Sequence, residues 1–145
     1  GGIKQVSTLL PLKFSPVIPD HSELIECDTF NGNCVLIPKA VADVIGNLDS
    51  GFTHGISDFD YGLRAKRQRI KSLLISGYVG ECGRNPVQDC FNAKVPLFKR
   101  WAVLHSPKGL TPKEWARFTM RYSPLLWLLY VLKLYVRVLF PREGK

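Results

Sequence analysis

Cysteine is scarce and poorly spaced for chemistry. The four residues, Cys27, Cys34, Cys82 and Cys90, include no C-x-x-C pair, which leaves no zinc knuckle and no dithiol redox motif. Charge is also thin. Only 22% of the 145 residues are Asp, Glu, Lys or Arg, too few for a chain that stays unfolded by self-repulsion. Internal repeats and low-complexity segments are missing. The longest apolar run, residues 125–140, is broken by Lys133 and Arg137. As a helix it would extend about 24 Å, short of a ~30 Å hydrocarbon core. The amino end, Gly-Gly-Ile-Lys-Gln, shows no apolar core behind a charged start, so nothing there reads as a signal peptide. The thiols are therefore expected free, in a reducing cytosol. An initiator Met is missing too, which points to a piece of a longer chain or to a tag remnant.

What is present is enough for a core: 46% of residues are hydrophobic and 11% aromatic. The length fits one domain or part of a larger one. A net charge of +8 points to an anionic partner, whether nucleotide, anionic lipid or nucleic acid. The positive residues gather in 64–71 and 94–121. In the second stretch Phe98, Trp101, Trp115, Phe118 and Tyr122 alternate with Lys and Arg, as on a base-stacking surface. Their helical spacing turns them inward instead, and no nucleic-acid partner is expected.

Along the chain, Val6 to Leu10 reads as a short strand stopped by Pro11, and 15–22 as an extended loop with two prolines. Leu24 to Asp28 resumes a strand that reaches the turn signal Asn31-Gly32. Cys34 to Ile37 is a buried-type run, expected as a central strand ended by Pro38. Ala40, Val41, Val44 and Ile45 share one face of a helix over 39–45. A loop with three glycines and His54 follows. Ser57 then caps a helix over 58–70, with Asp58 and Asp60 in its first turn and Leu63 and Ile70 facing inward. Arg64, four residues after Asp60, is placed to pair with it. Ser72 to Val79 is a further strand. From Leu97 onward the pattern is helical, with Thr111 as N-cap, Pro112 at the first position and Glu114 at the third of one helix. The last helix spans 125–140. Its apolar content suits an interfacial helix, with Trp127, Tyr130 and Tyr135 at headgroup level; a buried helix or a dimer interface is the alternative.

The order of these pieces resembles the acceptor half of a family 2 glycosyltransferase of the GT-A type. There an Asn-Gly turn leads into a strand, a short helix follows, and a Gly-Glu-Asp-x-Asp-x-x-x-Arg motif closes the series. Asn31-Gly32-Asn33 and Asp58-x-Asp60-x-x-x-Arg64 are similar, with Ser57 in the place of the Glu. The likeness runs from residue 1 to about 122, is best in FNGNCVLIP and DFDYGLRA, and points to bacterial members. It implies an α/β chain: a partial GT-A (nucleotide-diphospho-sugar transferase) fold with a mixed sheet over 1–96, followed by C-terminal helices over 97–145.

The activity so implied is transfer of a sugar, with inversion, from a nucleotide-sugar donor to a glycan or lipid-linked acceptor. Asp58 would be the general base, taking the proton of the acceptor hydroxyl. Asn31, Gly32 and Asn33 would lie beside the donor sugar. His54 would reach the acceptor or the diphosphate, and Asp60 would complete the substrate-binding set. In the family a divalent metal, Mg or Mn, is held by a different Asp-x-Asp in the amino half. No copy suited to that task is found here, so the chain by itself is expected to hold no metal and to bind nucleotide poorly. The alternative is a non-catalytic fragment that sits on a membrane surface through 125–140, or forms a homodimer through that helix or an exposed sheet edge.

Overall fold

The computed structural model describes residues 1–7, 9–53, 55–81, 90–106 and 109–141. They form a mixed α and β chain with five strands and five helices, divided into two compact units, Gly1–Cys82 and Gly83–Lys145.

The first unit holds all the described strands. β1 (Gly2–Gln5) lies between β2 (Phe14–Pro16) and β4 (Thr29–Phe30), and β3 (Ile25–Cys27) pairs with β5 (Ser72–Leu74). Every described pair is antiparallel, with Ile3 opposite both Pro16 and Thr29, and Ile25 opposite Leu74. The expected mixed sheet is thus replaced, among the described residues, by two small antiparallel ones. The short connection from Gln5 to Phe14 explains this for the first pair, since a tight return permits only antiparallel pairing. Pro16 sits on the outer strand, where its missing N–H is harmless.

Two expected strands are corrected. Of the stretch expected over Val6 to Leu10, the described residues 6, 7, 9 and 10 form no strand and lead into a turn, held by Val6 N–H to Lys13 C=O, Lys13 N–H to Leu10 C=O and Leu10 N–H to Ser7 Oγ. Pairing begins four residues earlier. Cys34 to Ile37 is no strand at all, and Leu36 is 93% exposed. Among the described residues the run pairs with none of the five strands. The strand expected over 72–79 shortens to β5.

α1 (Lys39–Ile45) forms where expected, but Ala40 and Val44 are exposed and no residue of it is buried. α2 (Ile56–Arg67) starts two residues before the expected position. Gly55 occupies the N-cap, and Ser57 lies inside the helix without capping it. The other end stops at Arg67 instead of Ile70. Ile70 N–H bonds Ala65 C=O and Arg69 N–H bonds Lys66 C=O, with Arg69 at φ 61°. That is the Schellman closure, made with Arg where glycine is usual. Tyr61, Leu63 and Ala65 of α2 are buried with Ile3, Leu12, Cys27 and Phe52, and Phe59 meets Phe14 edge-on at 5.2 Å.

The second unit contains α3 (Leu97–Leu104), α4 (Pro112–Tyr122) and α5 (Trp127–Leu139). Cys90, Leu104, Leu134 and Val138 make its core, with Trp115 and Tyr135 packed alongside. Trp115 Nε1 donates to Tyr130 C=O, tying α4 to α5. Thr111 and Pro112 take the N-cap and first positions as expected, but the Thr111 hydroxyl makes no capping bond. The expectation of inward aromatics fails on α3. Phe98 and Trp101 are exposed, while Arg100 and Leu104 are buried.

Candidate active site

The geometry is set by one close approach. Thr29, on β4, has no exposed surface and packs against Gly62 in the middle of α2. A Cβ on residue 62 would come within 2.7 Å of the Thr29 Cα, so any other residue would push helix and strand apart. The Thr29 hydroxyl donates to Phe59 C=O at 2.9 Å, fixing the helix along the strand.

This contact brings the start of α2 beneath the turn that follows β4. There the Gly32 N–H donates to Asp58 Oδ2 at 2.9 Å. A Cβ at position 32 would lie 2.8 Å from the Asp58 carboxylate, so a larger residue would turn that group aside. Asn31, Gly32 and Asn33 are exposed and Asp58 is partly so. Asp58 sits in the first turn of α2, where the helix dipole attracts negative charge. Its Oδ1 takes no hydrogen bond among the described residues. The structure thus joins two of the stretches singled out by sequence, 31–33 and Asp58.

Asp60 points the other way, as two residues of an α-helix must, at about 200°. It lies outside the first turn, contrary to expectation, and has no exposed surface. Arg64 Nε donates to its Oδ2 at 2.9 Å. The same guanidinium donates through Nη1 to Ile45 C=O and through Nη2 to Asn47 C=O, and lies over the Tyr61 ring at 5.0 Å. Asp60 and Arg64 therefore clamp the end of α1 to α2, and from inside the unit Asp60 does not share a surface with Asp58. His54 lies outside the described residues.

Three residues escaped the sequence reading. Thr29 and Gly62 had one signal between them: a glycine inside a helix, at a cost of about 1 kcal/mol against Ala, usually marks a close neighbour. Asp28 is the third. It accepts from Gln5 N–H at 2.7 Å and pairs with Lys66 at 2.6 Å. Burial pushes its carboxyl pKa upward, but the Lys66 ammonium and the Gln5 N–H outweigh that and hold it below the usual value. Burial has the opposite outcome at Cys27, whose thiol pKa is raised.

No group of three or more His, Cys, Asp or Glu among the described residues is arranged to hold a metal ion. Asp58 and Asp60, though spelled Asp-x-Asp, diverge and cannot share one. No family model, no curated protein and no solved structure matches the chain.

Proposed function

We propose that residues 1–82 carry the acceptor side of a glycosyltransferase, in which Asp58 is the general base. One observation supports this above the others: a carboxylate at a helix start, held on one oxygen by the Gly32 N–H and with no hydrogen bond on the other among the described residues, beside an exposed Asn-Gly-Asn turn. One bound oxygen fixes the direction of the group, and the second is left to take a proton. In the reaction the acceptor hydroxyl oxygen attacks the anomeric carbon of a nucleotide sugar. The bond from that carbon to the nucleoside diphosphate breaks, and Asp58 Oδ1 receives the hydroxyl proton. Asn31 and Asn33 offer amide groups to sugar hydroxyls at the rim. The donor's nucleotide and metal belong to residues other than Asp58 and Asp60, and the partial GT-A assignment stands as part of this proposal.

The test is Asp58→Asn in the protein isolated from its source, assayed for nucleoside diphosphate release with a panel of nucleotide sugars and a glycan or lipid extract as acceptor. Turnover is expected to fall by at least about a hundredfold, with donor affinity and circular dichroism unchanged. Turnover retained by the variant would remove Asp58 from the mechanism.

A further inference from the structure

We propose that the helical unit docks on an anionic lipid surface through the outer faces of α5 and α3. α5 is apolar on both sides. Its inner side places Leu134 and Val138 in the core. Its outer side, opposite at 100° per residue, carries Leu128, Leu132, Val136 and Leu139, all exposed. An exposed apolar stripe of this length beside a buried one marks a surface for something else to cover. The patch extends onto α3, where Phe98 and Trp101 share a shallow cleft with Leu139.

Charge decides among the candidates for the cover. Residues 83–145 hold twelve Lys or Arg against three Asp or Glu, whereas residues 1–82 hold eight against nine. All of the chain's positive excess therefore belongs to the helical unit. Lys133 and Arg137 run along one border of the apolar stripe, and Lys99 is exposed on α3. A second copy would bring an equally cationic surface against this one, and the two would repel. An anionic bilayer offers both complements at once: acyl chains for the leucines and phosphate for the cations. No helix of the described residues is long and apolar enough to cross a membrane. At 13 residues α5 is about 20 Å long, which suits lying in the interface plane. Trp101, apolar in body with one N–H, fits the headgroup boundary. This inference stands apart from the role of Asp58.

The experiment is flotation of the full chain with vesicles of phosphatidylcholine alone and of phosphatidylcholine with phosphatidylglycerol. Tryptophan quenching by brominated acyl chains and light scattering behind size-exclusion chromatography accompany it. Binding to the anionic vesicles is expected, with quenching that weakens in Trp101→Phe. Leu132→Glu, at an exposed position that leaves the core untouched, should abolish binding. Lys99→Glu with Lys133→Glu, both exposed, which keeps the apolar face and the Arg137 contact over Phe91, should weaken it at least about tenfold, as should raised salt. Failure to float with anionic vesicles overturns the proposal. Equal binding to neutral vesicles, unaffected by charge reversal, overturns the anionic assignment. A dimer that Leu132→Glu dissociates, without flotation, would give the face to a second copy.

Discussion

Gly62 and Gly32 show how much a single missing Cβ can set. Both lie where β4 and its following turn meet α2, and at each a methyl group would strike a neighbour within 3 Å. The neighbours differ in kind. At Gly32 it is a carboxylate, which can swing away, so the cost falls on the direction of Asp58. At Gly62 it is the backbone of Thr29, which cannot move without separating strand from helix. Gly62→Ala is therefore expected to destabilise the protein by about 1–3 kcal/mol despite the better helix propensity of alanine, measured as a lower urea midpoint. An unchanged midpoint would mean that helix and strand do not touch as described. Asp28 gives a second residue-scale expectation. Its folded pKa is depressed, so its contribution to stability is present above the unfolded carboxylate pKa and lost as pH falls through the lower folded value. The urea midpoint should fall as pH drops across that window, and its dependence on pH should lessen in Asp28→Asn.

Among the elements, α2 is the one on which the amino unit depends, and both of its ends lie away from where the side-chain signals put them. Asp58 and Ser57 look like a helix start because side chains of that type cap helices, yet Gly55 and Ile56 begin it. At the far end the apolar Ile70 looks like the next inward residue, yet it is the residue beyond the cap, joined to Ala65 C=O. Local chemistry proposes a boundary within two or three residues, and the backbone bonds then place it. The closure leaves Arg69 in a left-handed conformation. Arg69→Gly should relieve that strain and stabilise the protein by about 1 kcal/mol, read as a rise in the urea midpoint. A fall would show that the arginine side chain matters more than its backbone angle.

At the scale of the whole chain, two units with different characters share one polypeptide. The strand-containing unit is close to electrically neutral and holds the Asp58 carboxylate. The helical unit carries the positive excess and the exposed apolar face. Together, the two proposals would confine sugar transfer to acceptors at the surface bound by the helical unit, in keeping with a lipid-linked acceptor. Buried polarity in the helical unit has its own cost. Nε and Nη1 of Arg100, the Thr111 hydroxyl and the Tyr130 hydroxyl are buried with no hydrogen-bond partner among the described residues, the type of group that weakens a small core.

The sequence by itself determined the parts of this protein governed by neighbours. The turn at Asn31-Gly32, the helix after Pro38, the position of Thr111-Pro112 and the pairing of Asp60 with Arg64 all follow from residues at most four apart, whose backbone angles and side-chain reach are set locally. It also determined that Asp58 and Asp60 face apart, since helical geometry alone requires that. What only the tertiary structure decided is which apolar residues are covered. Cys34 to Ile37 has the composition of a buried strand and Phe98 and Trp101 the spacing of a buried face, and all of them lie at the surface. Hydrophobicity records a gain available on burial, but burial needs a partner surface. Residues 34–37 pair with no described strand, and α3 turns Leu104 inward instead. The joining of Asp58 to Gly32, 26 residues apart, was decided in the same way, by a close approach of helix and strand that no local pattern contains.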